Sequence, residues 1–209
     1  IKAKRLINQH IIDTPSGLSH SLSEITGRSI FVKYENKQHT GSFKFRGSLN
    51  KLLSLTEVQK KKGVIAMSAG NHAQAVAWWA RKEKINATIV MPEQAPFSKV
   101  MKTKALGAKV ILKGRTLNES QNFVEQTVKK ENLTLIHPYD DENVILGQGT
   151  IGLELIEKVS DLEALLIPVG GGGLISGIAV AVKSINPKVK IYGIQTEKFP
   201  SMYNVFKRK

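Results

Sequence analysis

From residue 64 to residue 195, short apolar runs alternate with amphipathic stretches, and few architectures accept a chain written that way. Residues 64–67 (Val-Ile-Ala-Met) read as a buried strand, residues 68–71 as a tight loop, and Ala73, Val76, Ala77 and Ala80 as the apolar stripe of a helix. The pattern continues with a strand at 87–91 ended by Pro92, a helix at 98–106 closed by Gly107, a strand at 109–112 and a helix at 117–131. A strand at 133–136 stops at His137-Pro138. A helix at 151–159, a strand at 164–169, a helix at 174–185 and a strand at 190–195 follow. Strands joined through helices run parallel, because a parallel pair needs a long crossover that a hairpin turn cannot supply. The expected class is therefore α/β: two open, mainly parallel sheets with helices on both faces.

Ahead of this alternation the chain is less regular. Residues 2–10 are weakly helical, Thr14-Pro15 breaks them, and residues 18–25 form a second short helical pattern ending at Gly27. Residues 29–34 alternate as a strand, with Ile30, Val32 and Tyr34 on one face. Then comes Thr40-Gly41-Ser42-Phe43-Lys44-Phe45-Arg46-Gly47, the opening turn of a helix that runs to about residue 54, with Ser42 as its expected N-cap. A lysine fits poorly there. The helix N-terminus is partly positive and the flanking phenylalanines disfavour a charged ammonium, so the Lys44 pKa should fall and its free amine become available as a nucleophile. The alternative is a surface lysine whose stem lies on apolar neighbours.

Composition removes several classes. No apolar run approaches the roughly 18 residues that cross a bilayer, and no signal-peptide pattern opens the sequence, so the expectation is cytoplasmic, without membrane contact. With no cysteine there are no disulfides or thiolate metal sites. A net charge of +14 invites a nucleic-acid reading. The lysines are scattered, however, and no aromatic-interleaved basic strand accompanies them, so no nucleic-acid partner is expected. His10, His20, His39 and His137 show no metal-ligand spacing, and no metal is expected. Because the sequence opens on Ile1 and closes on Phe206-Lys207-Arg208-Lys209, it reads as part of a longer polypeptide.

In parallel α/β sheets ligands bind where strands give way to helices. Two such loops stand out. Gly170-Gly171-Gly172-Gly173 follows the strand at 164–169 and precedes a helix, a placement that exposes main-chain N–H groups to an anion such as a phosphate. The alternative is a tight turn packed against a neighbour. The run is neither a P-loop, lacking a following Lys-Ser or Lys-Thr, nor a dinucleotide fingerprint, since position 175 is Ile175. The second loop, Ser68-Ala69-Gly70-Asn71-His72, offers a hydroxyl, an amide and an imidazole beside a helix N-terminus, a set that suits a carboxylate, or else serves as a plain helix cap. An amine nucleophile, a phosphate cradle and a carboxylate cradle together suit pyridoxal phosphate acting on an amino acid.

The strings Thr40-Gly41-Ser42-Phe43-Lys44, Ser68-Ala69-Gly70-Asn71-His72-Ala73-Gln74, Gly147-Gln148-Gly149-Thr150-Ile151 and Pro168-Val169-Gly170-Gly171-Gly172-Gly173-Leu174 occur in that order. In this the chain resembles the threonine dehydratases (threonine ammonia-lyases) of the short catabolic type, within the tryptophan-synthase-β-like pyridoxal-phosphate enzymes, with serine racemase as near relative. The resemblance implies that Lys44 carries the cofactor as a Schiff base and, once released, takes the substrate Cα proton. It also implies that Phe43 packs on the cofactor ring, Asn71 meets the ring oxygen, and the backbone of Gly170, Gly171, Gly172, Gly173 and Leu174 holds the phosphate. Ser68, Ala69, Gly70, Asn71 and His72 would form the substrate carboxylate loop. The implied reaction is α,β-elimination of L-threonine, or L-serine, to a 2-oxo acid and ammonia. Ala69 stands where racemases of the group resemble Ser-Ser-Gly-Asn-His, and it has no proton to deliver. The resemblance further implies a larger domain from 1–62 and 141–209, with its C-terminal part missing from these residues, a smaller mobile domain from 63–140, and a homo-oligomer.

Overall fold

The computed structural model describes residues 1–207; Arg208 and Lys209, the end of the expected larger domain, lie outside the described residues. The front of the chain comprises α1 (Lys2–Ile7), β1 (Ser16–Leu18), α2 (His20–Thr26), β2 (Phe31–Lys33), α3 (Lys44–Leu53) and α4 (Glu57–Lys62). β1 and β2 pair antiparallel, Gly17 opposite Val32. The expected strand at 29–34 is thus shorter, and its partner includes Leu18, the first residue of the expected helical pattern, which begins as a helix only at His20. Ser19 caps α2 and Gly27 closes it in the left-handed conformation (φ 64°). α4 begins with a Thr56–Gln59 capping box, a helix start the apolar pattern does not reveal.

β3 (Val64–Met67), α5 (Asn71–Lys82), β4 (Ala87–Met91), α6 (Phe97–Ala105), β5 (Lys109–Leu112), α7 (Leu117–Glu131) and β6 (Thr134–Leu135) follow. The four strands form one sheet, all parallel, in the order β5-β4-β3-β6. Both faces are apolar because strand side chains alternate. Val64, Ala66, Ile89 and Met91 enter a core with Val76, Ala77 and Ala80 of α5. Ile65 and Val90 point the other way, onto Val124 of α7. The first of these cores also takes Ile7 of α1 and Phe45, Leu49 and Leu52 of α3, so the lysine-bearing helix is anchored in the hydrophobic interior of the four-stranded sheet.

The last third is α8 (Glu142–Lys158), β7 (Ala164–Pro168), α9 (Gly173–Ile185), β8 (Lys190–Ile194) and α10 (Ser201–Lys207). β7 and β8 pair in parallel. Two differences from the sequence reading concern helices. α10 has no counterpart in it, and α8 starts nine residues before the expected 151, capped by Asp141, whose side chain accepts from Val144 N–H. Glycines at 147 and 149 argue against a helix in isolation. Packing requires them: a Cβ on Gly147 would sit 2.6 Å from Arg46 O, one on Gly149 2.7 Å from Gly177 O, and one on Gly177 2.2 Å from Ile145 O. α8 therefore crosses α3 on one side and α9 on the other at backbone contact. No helix among the described residues is long and apolar enough to cross a membrane.

Candidate active site

The crossing of α3, α8 and α9 sets the first turns of α3 and α9 around one cavity of about 130 Å³. Phe43, Lys44, Gly170, Gly171, Gly172, Gly173 and Leu174, all singled out by the sequence, line it together with Pro138, Tyr139, Gln148 and Pro168. Lys44 Nζ donates to the Pro138 carbonyl oxygen at 2.6 Å and stands 5.4 Å from the centre of the Phe43 ring. Burial holds its pKa below the ordinary lysine value. The helix start differs slightly from expectation. Ser42 is extended and Phe43 already helical, yet Ser42 Oγ still accepts the Lys44 N–H at 3.2 Å.

The glycine run divides between the two readings open to it. A Cβ on Gly171 would fall 2.4 Å from the Tyr139 ring and one on Gly173 2.7 Å from Tyr139 O, while Gly172 has φ 90°, so packing and conformation account for these. Gly170 differs: a Cβ there meets nothing within 4 Å, so the space beside it is open rather than filled by a neighbour. Gly172 is the N-cap of α9 and has no side chain to satisfy the first N–H groups of the helix. Among the longer helices, α7 and α8 are capped by Thr116 and Asp141, whereas α9 and α5 start from Gly172 and Gly70 with no side-chain cap. An anion at the end of α9 would take the donors that the protein leaves free. The residues present fit a phosphorylated aldehyde, with a neutralisable amine at one end of the cavity and bare main-chain donors at the other.

The loop at 68–72 lies beside this cavity rather than in its wall. Ser68 Oγ accepts the Gly70 N–H at 3.1 Å, Ala69 packs against the main core, and Asn71 is exposed at the start of α5. The His72 imidazole, expected to face a carboxylate, is instead turned inward. Its Nε2 donates to Ile136 O at 2.8 Å, which leaves Nδ1 as acceptor for the Ser48 hydroxyl at 3.2 Å. With both nitrogens used, the ring has none to offer a ligand, and what His72 presents at the helix end is its main-chain N–H. Burial first, then the nearby charges of Lys44 and His137, bring its pKa down to about 4 against the opposing bond to Ile136.

A group depressed from 6.5 in this way binds its proton in the unfolded chain before it does so in the folded one. Stability is therefore fully present above pH 6.5 and is lost as pH falls toward 4, at about 1.4 kcal/mol per pH unit. Denaturant unfolding at pH 7, 6 and 5 should show this slope in the wild type, and His72→Gln should lose about one proton's worth of it. An unchanged slope would place the titration elsewhere.

Tyr139, Pro138 and Gln148 are site residues that sequence reasoning does not assign. The segment from Ile136 to Tyr139 joins the two halves: Ile136 O holds His72, Pro138 O holds Lys44, and Tyr139 presses on the glycine turn. The advance signals are Pro138 ending a strand, a place where α/β proteins build sites, and Gln148 standing inside the string Gly147-Gln148-Gly149-Thr150-Ile151, which carries the family resemblance without a role for its side chain.

A parallel α/β scaffold with a half-buried lysine and an uncapped glycine turn on one cavity is an arrangement that suits a phosphorylated carbonyl compound. The match to known proteins agrees. Residues 7–209 match the family described as pyridoxal-phosphate dependent enzymes, and the chain belongs to that family. It is 50% identical over 207 residues to an L-threonine ammonia-lyase of Thermotoga maritima, covering 99% of this chain and 52% of that protein. It is 52% identical over 206 residues to a catabolic L-threonine dehydratase, TdcB, of Staphylococcus aureus, covering 98% of this chain and 60% of that protein. The crystal structure of serine racemase from Dictyostelium discoideum superposes with a TM-score of 0.93 at 37% identity, over 99% of this chain and 67% of that one. The chain thus spans between half and three fifths of the curated relatives it matches.

Proposed function

We propose that this chain carries the cofactor-binding and proton-transfer machinery of a pyridoxal-phosphate-dependent ammonia-lyase acting on L-threonine and L-serine. The observation that carries the reading is the single cavity shared by Lys44 and Gly170–173. Pyridoxal phosphate bound there supplies the electron sink that makes an amino acid's α-proton removable. The glycine-turn N–H groups bind its anionic tail, and the Phe43 ring supports its face. Asn71 contributes its amide toward the ring oxygen. The substrate carboxylate is held by the Ser68 hydroxyl and the main-chain N–H groups of the Ala69–His72 loop. Lys44, with its pKa held down by burial, is available as a neutral amine to take the Cα proton. Loss of the β-hydroxyl and hydrolysis then convert L-threonine into 2-oxobutanoate and ammonia, or L-serine into pyruvate and ammonia.

Racemisation is the competing reading on this scaffold, and Ala69 weighs against it. Its methyl packs on the core and has no proton to give to the face opposite the lysine. The same reading makes residues 63–140 the smaller mobile domain and residues 1–62 with 141–209 the larger one. The protein is then a cytoplasmic homo-oligomer whose partner is a small amino acid. Incubation with pyridoxal phosphate and L-threonine should release equal amounts of ketone and ammonia, and L-serine should give pyruvate without D-serine. D-serine formed at the rate of ammonia release would replace the lyase by a racemase.

A further inference from the structure

Gln148 is buried to 1% exposure on the wall of the cavity, and its Oε1 has no hydrogen-bond partner among the described residues. A carboxamide can make several hydrogen bonds, and burying one unpartnered is costly, so a fold with no use for it would carry an apolar residue of the same length. The surroundings are shaped to admit this side chain. Gly47, one turn after Lys44 on α3, has no Cβ, and one built there would fall 2.4 Å from Gln148 Nε2.

Position indicates what the amide is for. Gln148 leaves α8 between Gly147, which abuts α3, and Gly149, which abuts Gly177 one turn below the start of α9. Helical side chains lean toward the N-terminus of their own helix. For α8 that is the end where Tyr139 rests on Gly171 and Gly173. The side chain thus lines the same cavity as the glycine turn, whose N–H groups are uncapped, with its Nε2 beside Gly47 of α3 and the Lys44 amine already engaged by Pro138 O.

We propose that Gln148 is the polar side chain of an otherwise main-chain anion site, its carboxamide donating to the phosphate tail of the ligand seated on Gly170–Gly173. The proposal rests on the reading of the cavity as a pyridoxal-phosphate site and adds a residue to it. The terminal torsion of glutamine is soft, so the N–H₂ end can turn to the anion as it binds. A neutral donor adds a contact without placing a second cation beside the lysine.

The test compares wild type, Gln148→Met and Gln148→Glu for binding of pyridoxal phosphate and of pyridoxal, which lacks the tail, by titration at fixed pH and ionic strength. Wild type binding pyridoxal phosphate confirms the underlying reading; its failure to bind overturns both. Given binding, Gln148→Met should weaken pyridoxal phosphate by about ten- to a hundredfold and pyridoxal by no more than about twofold, with Gln148→Glu weaker still for the phosphate ester alone. Thermal unfolding of the unliganded chain should show Gln148→Met no less stable than wild type, because the buried amide oxygen has no partner among the described residues to lose. Equal losses for both ligands, no loss for either, or a lower unliganded midpoint in Gln148→Met would each overturn the assignment of Gln148 while leaving the cavity's function in place.

Discussion

On the function proposed, Lys44→Ala should give a chain that does not capture pyridoxal phosphate covalently and whose ammonia release from L-threonine is lower by about 10²–10⁴-fold or more. The expected loss is large because, in the function proposed, one amine would serve both as the attachment point and as the base. Lys44 sits at the first turn of α3, partly buried, its Nζ held by a carbonyl oxygen rather than a carboxylate. A carboxylate partner would raise its pKa; burial instead lowers it, so the neutral amine is present at a pH where exposed lysines are still protonated. Lys44→Arg separates charge from chemistry, since a guanidinium keeps the bulk and the positive charge but does not deprotonate. Both variants should therefore behave alike. Borohydride treatment after addition of pyridoxal phosphate, followed by peptide mass analysis, locates the attachment directly. A reduced adduct on another lysine, or unimpaired turnover in Lys44→Ala, would remove the basis for the function proposed.

Much of the scaffold was legible because its strands and helices carry their own periodicity. α7 spans 117–131 and β4 spans 87–91, as the apolar pattern predicts. What could not be read locally depends on contacts between distant parts of the chain. The first turns of α8 look unfavourable until α3 and α9 are seen pressing on Gly147 and Gly149. β1 is three residues long and exists only because β2 pairs with it. The site behaves likewise. Lys44 and the glycine turn could be nominated from their own chemistry, and the fold then puts them on one cavity. His72 could be nominated too, but which way its ring turns depends on Ser48 and Ile136. Tyr139 carries no local signature, and Gln148 stands in a string that marks the resemblance but assigns its side chain no role; both line the cavity beside which three helices converge.

Arg46→Met should destabilise the fold by about 3–5 kcal/mol, because it strips the cation from between the buried Glu154 and the half-buried Glu35. For a chain of this length that corresponds to roughly 6–20 °C in the unfolding midpoint. Arg46 is fully buried two residues beyond Lys44. Its Nε and Nη2 donate to Glu35 at 2.9 and 2.8 Å, while Nη1 and Nη2 donate to Glu154 at 2.5 and 3.0 Å. Lys33 donates to Glu154 at 2.5 Å from the other side. The network ties α3 to α8 and to the segment after β2, so the helix that begins on Lys44 is fixed at its back. Arg46→Lys should recover only part of the loss, since a point ammonium cannot serve both carboxylates bidentately.

The pH dependence distinguishes this mechanism from simple loss of packing. Burial pushes the Glu154 pKa up, but the hydrogen bonds and charges of Arg46 and Lys33 outweigh it and leave the carboxyl below its ordinary 4.5. In the wild type that stabilisation is fully present above pH 4.5 and is lost as pH falls through the folded-state value. Without Arg46 the burial effect is opposed by Lys33 alone, so the carboxyl pKa rises and protonation relieves the strain. The stability gap between wild type and Arg46→Met should therefore be widest at neutral pH and narrow as the pH is lowered toward 4. Adding Glu35→Gln to Arg46→Met should close part of the gap at pH 7, because it removes one unpaired charge while Glu154 keeps Lys33. A gap independent of pH and unmoved by the glutamine would mean that Arg46 acts by filling space, and that α3 is held by its apolar face alone.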